Sequence, residues 1–496
     1  MGIAETVVAW LAQEGPGIYL VGGCVRDRLL GRPLYDLDLV VAENGLTLAR
    51  RIADRFGGAY YPLDQERGTG RAVLHEEGGT PLVVDVAQFR GVDLAADLAD
   101  RDFAINALAA DVRAPDQIID IHSGVQDLAA RCIRPVSPSS IRNDPLRALR
   151  AVRLAAQLGF RLAPETVQQI RQDGVGLVDV SNERVRDEVA RLLSQPRAAA
   201  FLRLIDEMGL LTAILPELEP LRGLAQPPPH HLDALAHSLE TVAALEQLLD
   251  RLTKGRGAGE VRKERGGNAA QPGAAVAALL PFVGRLQAHL ARREGGERSR
   301  LVTLKLAALL HDVGKPARYS QDPEGRIRFL GHDAAGVAIA GQVLRRLRLN
   351  NAEVQLGETI VRHHMRPLLL AGKGDASTRA IYRFFRDTRA GGVEVLLHAL
   401  ADHEATCSAQ AGVECGLALA GLVGRMLADY WERSQECISP PILIDGHDLL
   451  RQFGLQPGPQ IGDLLEAVRE AQASGEVQTR DEALALAAAR LRGGDC

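Results

Sequence analysis

Asp36 and Asp38, two residues apart in the run DLDLVV, are the side chains of this 496-residue chain best suited to holding divalent cations. On a strand, side chains two apart share a face, so the two carboxylates converge and can hold one or two magnesium ions between them. Just upstream, Gly22-Gly23 makes a turn where backbone approaches a ligand with no side chain in the way. Arg26 adds a forked, permanently charged donor in the first turn of a helix expected from residue 25 to about residue 30. That combination suits a nucleoside triphosphate. The elements that must position it are a short apolar strand over 18–21, the helix, a stop at Gly31-Arg32-Pro33, and a second strand over 34–41. A glycine pair alone is a turn and a DxD alone is often a solvated edge; their order along the chain is the signal.

A second set of side chains, His237, His311-Asp312, His332, His363 or His364, and Asp402, joins imidazoles to carboxylates. Such donors suit divalent transition metals, and a bound metal makes hydroxide available to attack a phosphoester. Of the adjacent pair, His363 is the expected ligand. The His-Asp dipeptide by itself is weak, since it occurs at 311, 332 and 447. An apolar helix ending at His311 would present the pair.

A third block lies over 141–162. Asp144, Arg147 and Arg150 step by three along an expected helix, so a carboxylate and guanidinium groups can meet one base edge in imitation of Watson-Crick pairing. Asp144 before Pro145 is equally a good helix cap. Between residues 131 and 161 there are seven arginines and one acid, a local charge of +6 suited to phosphates. The net charge of -5 excludes a uniformly basic nucleic-acid binder. Asp102 and Asn106, four apart, are expected on one face of a short helix.

With 46% hydrophobic and 24% charged residues, the composition is that of a soluble globular protein of several domains. The N-terminus has no basic n-region, and no run approaches the ~20 apolar residues a membrane helix needs, so no membrane contact and a cytoplasmic location are expected. Six cysteines lie without CxxC pairs, which excludes a zinc knuckle and points to free thiols. A helix is expected over 46–56 and strands over 72–74 and 82–89. Residues 226–229 form a stiff proline linker, and 253–274, lacking hydrophobic periodicity, read as a mobile insertion. Near the C-terminus, Gly454, Gly458 and Gly462 with Pro457 and Pro459 mark a tight helix-turn-helix.

The run GGCVRDRLLGRPLYDLD resembles motif A, GGxVRDxLLGxxxxDxD, of the class II tRNA nucleotidyltransferase and bacterial poly(A) polymerase family. DRDFAINA resembles its motif B, usually RRDFTINA, with Asp100 replacing an arginine, and NDPLR resembles EDxxR with Asn143 replacing the glutamate. The resemblance implies that Asp36 and Asp38 hold Mg2+, that Asp85 in VVDVAQFR is a third catalytic acid, and that Gly23 and Arg26 hold the triphosphate. It assigns Arg101, Asn106, Asp144, Arg147, Arg150 and Arg153 to the nucleotide. The order H…HD…H…H…D is similar to HD-superfamily phosphohydrolases, implying metal at His237, His311, Asp312, His332, His363 and Asp402, of unspecified identity. The implied fold is α+β: a polymerase-β-like palm head over 1–134, then all-α neck and body over 135–229, HD domain over 230–405 and tRNA-binding tail over 406–496.

The implied activity is addition of CC or CCA to the tRNA 3' end from CTP and ATP, with a second, phosphohydrolase activity in the HD domain. A poly(A) polymerase, and an RNA-binding HD phosphohydrolase without transferase activity, stay open. Only ten residues, Gly91 to Asp100, separate Arg90 from Arg101. Family members that build the whole CCA end typically have a longer flexible loop here, thought to switch the pocket from cytosine to adenine. The short link therefore implies CC addition, with a separate enzyme adding the A, unless a loop over 64–71 supplies the lever.

Overall fold

The computed structural model describes residues 2–75, 81–261, 273–374, 376–406 and 413–492. They form two compact units, Met1–Leu192 with Leu204–Ile214, and Leu193–Arg203 with Leu215–Cys496.

In the first unit, runs of alternating apolar residues pair into one seven-stranded sheet. Its strands are β1 (Ile18–Val21), β2 (Asp36–Val41), β3 (Ala59–Asp64), β4 (Thr69–Leu74), β5 (Leu82–Gln88), β6 (Leu108–Asp111) and β7 (Ile118–Asp120), in the order β3-β4-β5-β2-β1-β6-β7. Leu37, Leu39, Val84 and Val86 point to one face and are buried there, so the period of two sends Asp36, Asp38 and Asp85 to the other. β2 and β5 run parallel with Asp38 opposite Asp85, and β4 and β5 run antiparallel with Arg71 opposite Asp85. The helix Gly45–Phe56 covers the apolar face through Leu48 and Ile52.

Three strands of this sheet, β3, β6 and β7, were not anticipated. β3 contains Pro62 and sits at the sheet edge, where the missing N–H is tolerated, and β6 is alanine-rich with no alternation to detect. Because residues 108–111 enter the sheet, the short helix expected across Asp102 and Asn106 is a 3-10 turn, Ala104–Asn106. The helix expected from residue 25 begins at Gly23 and ends at Leu29.

Among its described residues, the second unit is helical apart from one two-stranded hairpin, Ser320–Gln321 with Ile327–Arg328. Leu245, Leu248, Leu304, Ile360, Phe384 and Leu396 anchor its main core, and the three C-terminal helices close on a smaller one around Leu449, Leu464 and Val468. The segment Ala274–Ala291 is long and apolar enough to cross a membrane, yet Pro281 breaks it into Ala274–Leu279 and Val283–Ala291, and Leu279, Phe282 and Leu286 are buried in the main core. The insertion expected over 253–274 is helical to Val261 and lies outside the described residues over 262–272. Cys24, Cys132 and Cys437 are free and buried; Cys407, Cys496 and the Cys415 side chain lie outside the described residues.

Gly45 opens its helix where a Cβ would sit 2.3 Å from the Gly68 carbonyl oxygen, a backbone atom that cannot swing away. Gly45→Ala is expected to destabilise the sheet unit by about 1–3 kcal/mol. Hydrogen exchange should quicken at the β4 and β5 amides, and unchanged protection there would contradict this packing role.

Candidate functional site

Asp36 and Asp38 project from β2 beneath the turn at Gly22-Gly23. Gly22 has φ 72°, and a Cβ there would meet the Arg101 guanidinium at 2.9 Å, so only glycine leaves room for that arginine above Asp38. Burial and then the neighbouring Asp85 carboxylate push Asp38 up to about 6. The same two causes raise Asp36, against the opposing charges of Arg71 and Arg191. Asp85 is clasped by Arg71 through two hydrogen bonds of 2.7 and 2.8 Å. Its charge already has a partner, whereas Asp36 and Asp38, among the described residues, have no ion pair. A crowded pair of carboxylates with raised proton affinity fits divalent cations.

The predicted nucleotide residues form a connected chain of bonds. Arg26 donates to Asn106 Oδ1 at 2.6 Å, and Asn106 donates to Asp102 Oδ1 at 3.1 Å. Arg150 donates to Asp102 Oδ2 at 3.2 Å and to Glu188 at 3.3 Å, and Arg153 donates to Glu188 at 2.5 Å. Burial alone would raise the Asp102 carboxyl, but Arg150, with hydrogen bonds from Asn106 and the Phe103 amide, holds it below the usual carboxylate range. The Gly23–Leu29 helix has only seven residues, so Arg26 and Arg101, more than its dipole, make this turn positive.

One expectation for the third block holds and one needs correcting. Asp144 lies extended between the helices Ser140–Asn143 and Leu146–Leu158 and caps the second, its carboxylate accepting from the Leu146 amide and pairing with Arg184 at 2.7 Å. Arg147 is buried and donates to the carbonyls of Asp100, Arg101 and Ser140. It therefore does not share a base-reading edge with Asp144; it fixes the backbone that carries Arg101.

In the second unit, His237 Nε2 lies 2.9 Å from Asp402 and 3.8 Å from Asp312 Oδ2, and His311 Nε2 lies 3.2 Å from the same Asp312 oxygen. Asp312 Oδ1 faces His332 Nε2 at 3.4 Å and His364 Nε2 at 3.9 Å. Two ligand sets, His237-His311-Asp312 and Asp312-His332-His364, thus share one carboxylate. The histidine that joins the cluster is His364, not His363: at the end of the Asn351–His363 helix, His364 is fully buried among the other donors and His363 is half-buried outside it. Lys315 also reaches Asp312, at 2.5 Å.

Tautomers make the case for a cation here. The Nδ1 atoms of His311, His332 and His364 each face a backbone carbonyl at 2.8–2.9 Å, which only accepts, so each Nδ1 carries a proton and each ring turns its Nε2 inward. His332 and His364 bring their Nε2 atoms within 3.2 Å of each other, and His311 faces the Asp312 carboxylate, which raises its proton affinity against the effect of burial. Protons or a metal must lie between them. Burial, then His311, lowers His364 to about 4, which keeps it neutral and available as a ligand.

Sequence reading missed Glu188, Asp97 and His398. Glu188 shares the apolar face of helix Asn182–Leu193 with Val185 and Leu192, and an acid on such a face was a usable signal. Asp97 is one acid in an acidic link. His398 sits four residues before Asp402 on the buried helix Gly392–Thr406.

Divalent-ion binding at Asp36 and Asp38 should weaken as pH falls through about 6, where Asp38 takes up its proton, and hold steady above it. Mn2+ titrations of the free chain at pH 5.5 and 7.5 test this, equal affinity being the contrary result. Glu188→Ala removes a buried carboxylate from two half-buried guanidinium groups, which keep only Asp102 and Gln157, and should destabilise the sheet unit by about 1–3 kcal/mol, read by denaturant unfolding.

The sequence over 18–134 matches the poly A polymerase head domain, 159–221 the "Probable RNA and SrmB-binding site of polymerase A", 282–406 the HD domain and 438–488 a tRNA nucleotidyltransferase domain 2. The chain is 36% identical to the A-adding tRNA nucleotidyltransferase of Deinococcus radiodurans over 479 residues, 95% of each chain. It is 34% identical to the CC-adding tRNA nucleotidyltransferase of Geobacter sulfurreducens over 482 residues, 96% of this chain and 93% of that one. The fold is also that of the Thermotoga maritima CCA-adding enzyme solved in complex with tRNA, with a TM-score of 0.56 at 20% identity over 98% and 94% of the two chains. With the carboxylate pair, the arginine chain and the histidine cluster all in place, the chain belongs to the class II tRNA nucleotidyltransferases that carry an HD domain.

Proposed function

We propose that this chain is a partial adder: it transfers two cytidine nucleotides from CTP to the 3' end of tRNA in the cytoplasm and leaves the terminal A to a separate enzyme. The observation behind this reading is the link between Arg90 and Arg101. It folds as the helix Leu94–Ala99, capped by Asp93, and the buried Asp97 ties both ends down, accepting from the Arg90 amide at 3.1 Å and from Arg101 at 2.9 and 3.0 Å. A link held at both ends is a clamp with no slack for a lever. The other candidate lever, residues 64–71, is the β3-β4 hairpin turn, pinned by the Arg67 amide on Asp64 and by Arg71 on Asp85.

In the reaction, the acceptor 3'-hydroxyl attacks the α-phosphorus of CTP and pyrophosphate leaves. Asp36 and Asp38 would hold magnesium, whose chemistry is to polarise the hydroxyl and neutralise the phosphates. Arg26 and Arg101 orient the triphosphate, and Asn106 sits where it can meet the ribose. Arg150 and Arg153, fixed by Asp102 and Glu188, present an unchanging set of donors to the base, which suits one nucleobase better than two.

Asp36→Ala with Asp38→Ala should abolish incorporation of labelled CTP into tRNA lacking its CCA end. Wild-type protein given that tRNA and all four nucleotides should leave ends reading CC when sequenced. CCA ends would overturn the partial-adder reading, and long homopolymers on generic RNA would identify a poly(A) polymerase. Selective addition of A to tRNA already ending in CC would favour an A-adding enzyme, a second reading that the Deinococcus relative supports.

The HD centre supports a separate activity, metal-dependent hydrolysis of phosphoesters such as 2',3'-cyclic phosphates. His311→Ala should eliminate it and leave CTP incorporation within about twofold of wild type. Equal loss of both activities would refute two independent centres.

A further inference from the structure

Residues 194–197 join the helix Asn182–Leu193, which carries Glu188, to the helix Ala198–Glu207. The first helix ends in carbonyls without an intrahelical partner and the second begins with amides in the same condition, so this turn needs donors on one side and acceptors on the other. Lys305 and Glu246 supply them. The Lys305 ammonium donates to the Leu193 carbonyl at 2.8 Å, to the Gln195 carbonyl at 2.9 Å and to Glu246 Oε1 at 2.7 Å, which uses all three of its protons. Glu246 in turn accepts from the Ala198 amide at 2.8 Å and from the Ala199 amide at 3.2 Å. A cation thus stands at a helix C-terminus and an anion at a helix N-terminus, each opposite in sign to the dipole end it meets.

The two side chains are 3% and 9% exposed, so solvent screens the pair little, and a charge placed there must be held by its partners. Lys305 lies on the helix Arg300–Leu310, which leads into His311 and Asp312, and Glu246 lies on the helix Ala234–Val261, which carries His237. Two helices of the histidine cluster therefore grip the end of the helix that carries Glu188. Glu188 precedes Leu193 by five residues, about one and a half helical turns, and its carboxylate fixes Arg150 and Arg153.

We propose that Lys305 and Glu246 are positioning residues for nucleotide selection: they hold the C-terminal end of the helix Asn182–Leu193 and, through Glu188, keep Arg150 and Arg153 aimed at the base. The inference rests on the reading that these two arginines meet the base. It gives the scaffold of the HD centre a part in nucleotide transfer that is independent of any ion the histidines hold. A loosened helix end lets Glu188 wander, and the donors it orients then discriminate less sharply between bases.

The test measures single-nucleotide addition by the full-length protein to tRNA lacking its CCA end and to tRNA ending in CC, with CTP or ATP alone. Lys305→Met removes the grip on Leu193 and Gln195, and Lys305→Met combined with Glu246→Gln does so without leaving a buried carboxylate unpaired. Both variants should lower the kcat/KM preference for the favoured nucleotide about tenfold, through a higher KM for that nucleotide, with kcat within about threefold of wild type. Leu396→Ala, in the main core, lowers stability without touching the pair and should keep the wild-type preference. Thermal unfolding of each variant sets an assay temperature at which all are native. Wild-type preference retained in both Lys305 variants, or lost equally in Leu396→Ala, would overturn the inference while the base-selecting reading stands. A wild type that takes CTP and ATP equally well would overturn that reading and the inference with it.

Discussion

Two buried carboxylates, Asp102 and Glu188, hold the nucleotide-facing half of the molecule in one arrangement. Removing a carboxylate from water is unfavourable unless charge and hydrogen bonds surround it. Asp102 finds them in Asn106, Arg150 and the Phe103 amide, and Glu188 in Arg150 and Arg153. Each arginine is thereby fixed in direction before a nucleotide arrives. Because Asn106 also binds Arg26, the same bonds run from the turn at Gly22-Gly23 to Arg153. The one-base selectivity proposed above would rest on the rigidity that follows.

The HD centre reaches pre-organisation by the opposite route. The chain of arginines and carboxylates neutralises its buried charges within the protein, whereas the histidine cluster turns its Nε2 atoms toward one another and toward Asp312. Backbone carbonyls at Ala308, Phe329 and Val361 each take the Nδ1 proton of one ring and so aim its Nε2 into the cluster. Without a cation the cluster is held by protons and by Lys315, which occupies one oxygen of Asp312. Such a site is incomplete as protein alone, and that incompleteness marks it as a place for ions.

Much of the transferase site was legible because its residues are local. The glycine pair, Arg26, Asp36 and Asp38 fall within a single strand-turn-helix-strand unit whose periodicity fixes which side chains share a face. Asp85 was visible as an acid in a strand, but its clasp by Arg71 depends on register between β4 and β5, which no local pattern encodes. Glu188 and Asp97 looked like any other acids in charged helices, and only burial separates them from solvated neighbours. His363 and His364 are adjacent, and a helix turns successive side chains about 100° apart, so the choice between them rested on the helix phase relative to a core that sequence alone did not locate. β6 escaped notice for a related reason: alanines carry too little apolar contrast to announce a strand.

The row Arg71–Asp85–Asp38 shows how far the chemistry depends on sheet register. Three strands place one side chain each in line across the face, two of them acids and the outer one a cation. A slip of one residue in β5 would turn Asp85 into the apolar layer with Val84 and Val86 and leave Arg71 beside a hydrophobic side chain. In the observed register, Arg71 neutralises the outer carboxylate and the inner two stay crowded and short of positive charge. That imbalance raises the proton affinity of Asp38 and, by the same electrostatics, its affinity for a divalent ion. The position of an arginine two strands away thus decides which carboxylates are left to do the binding.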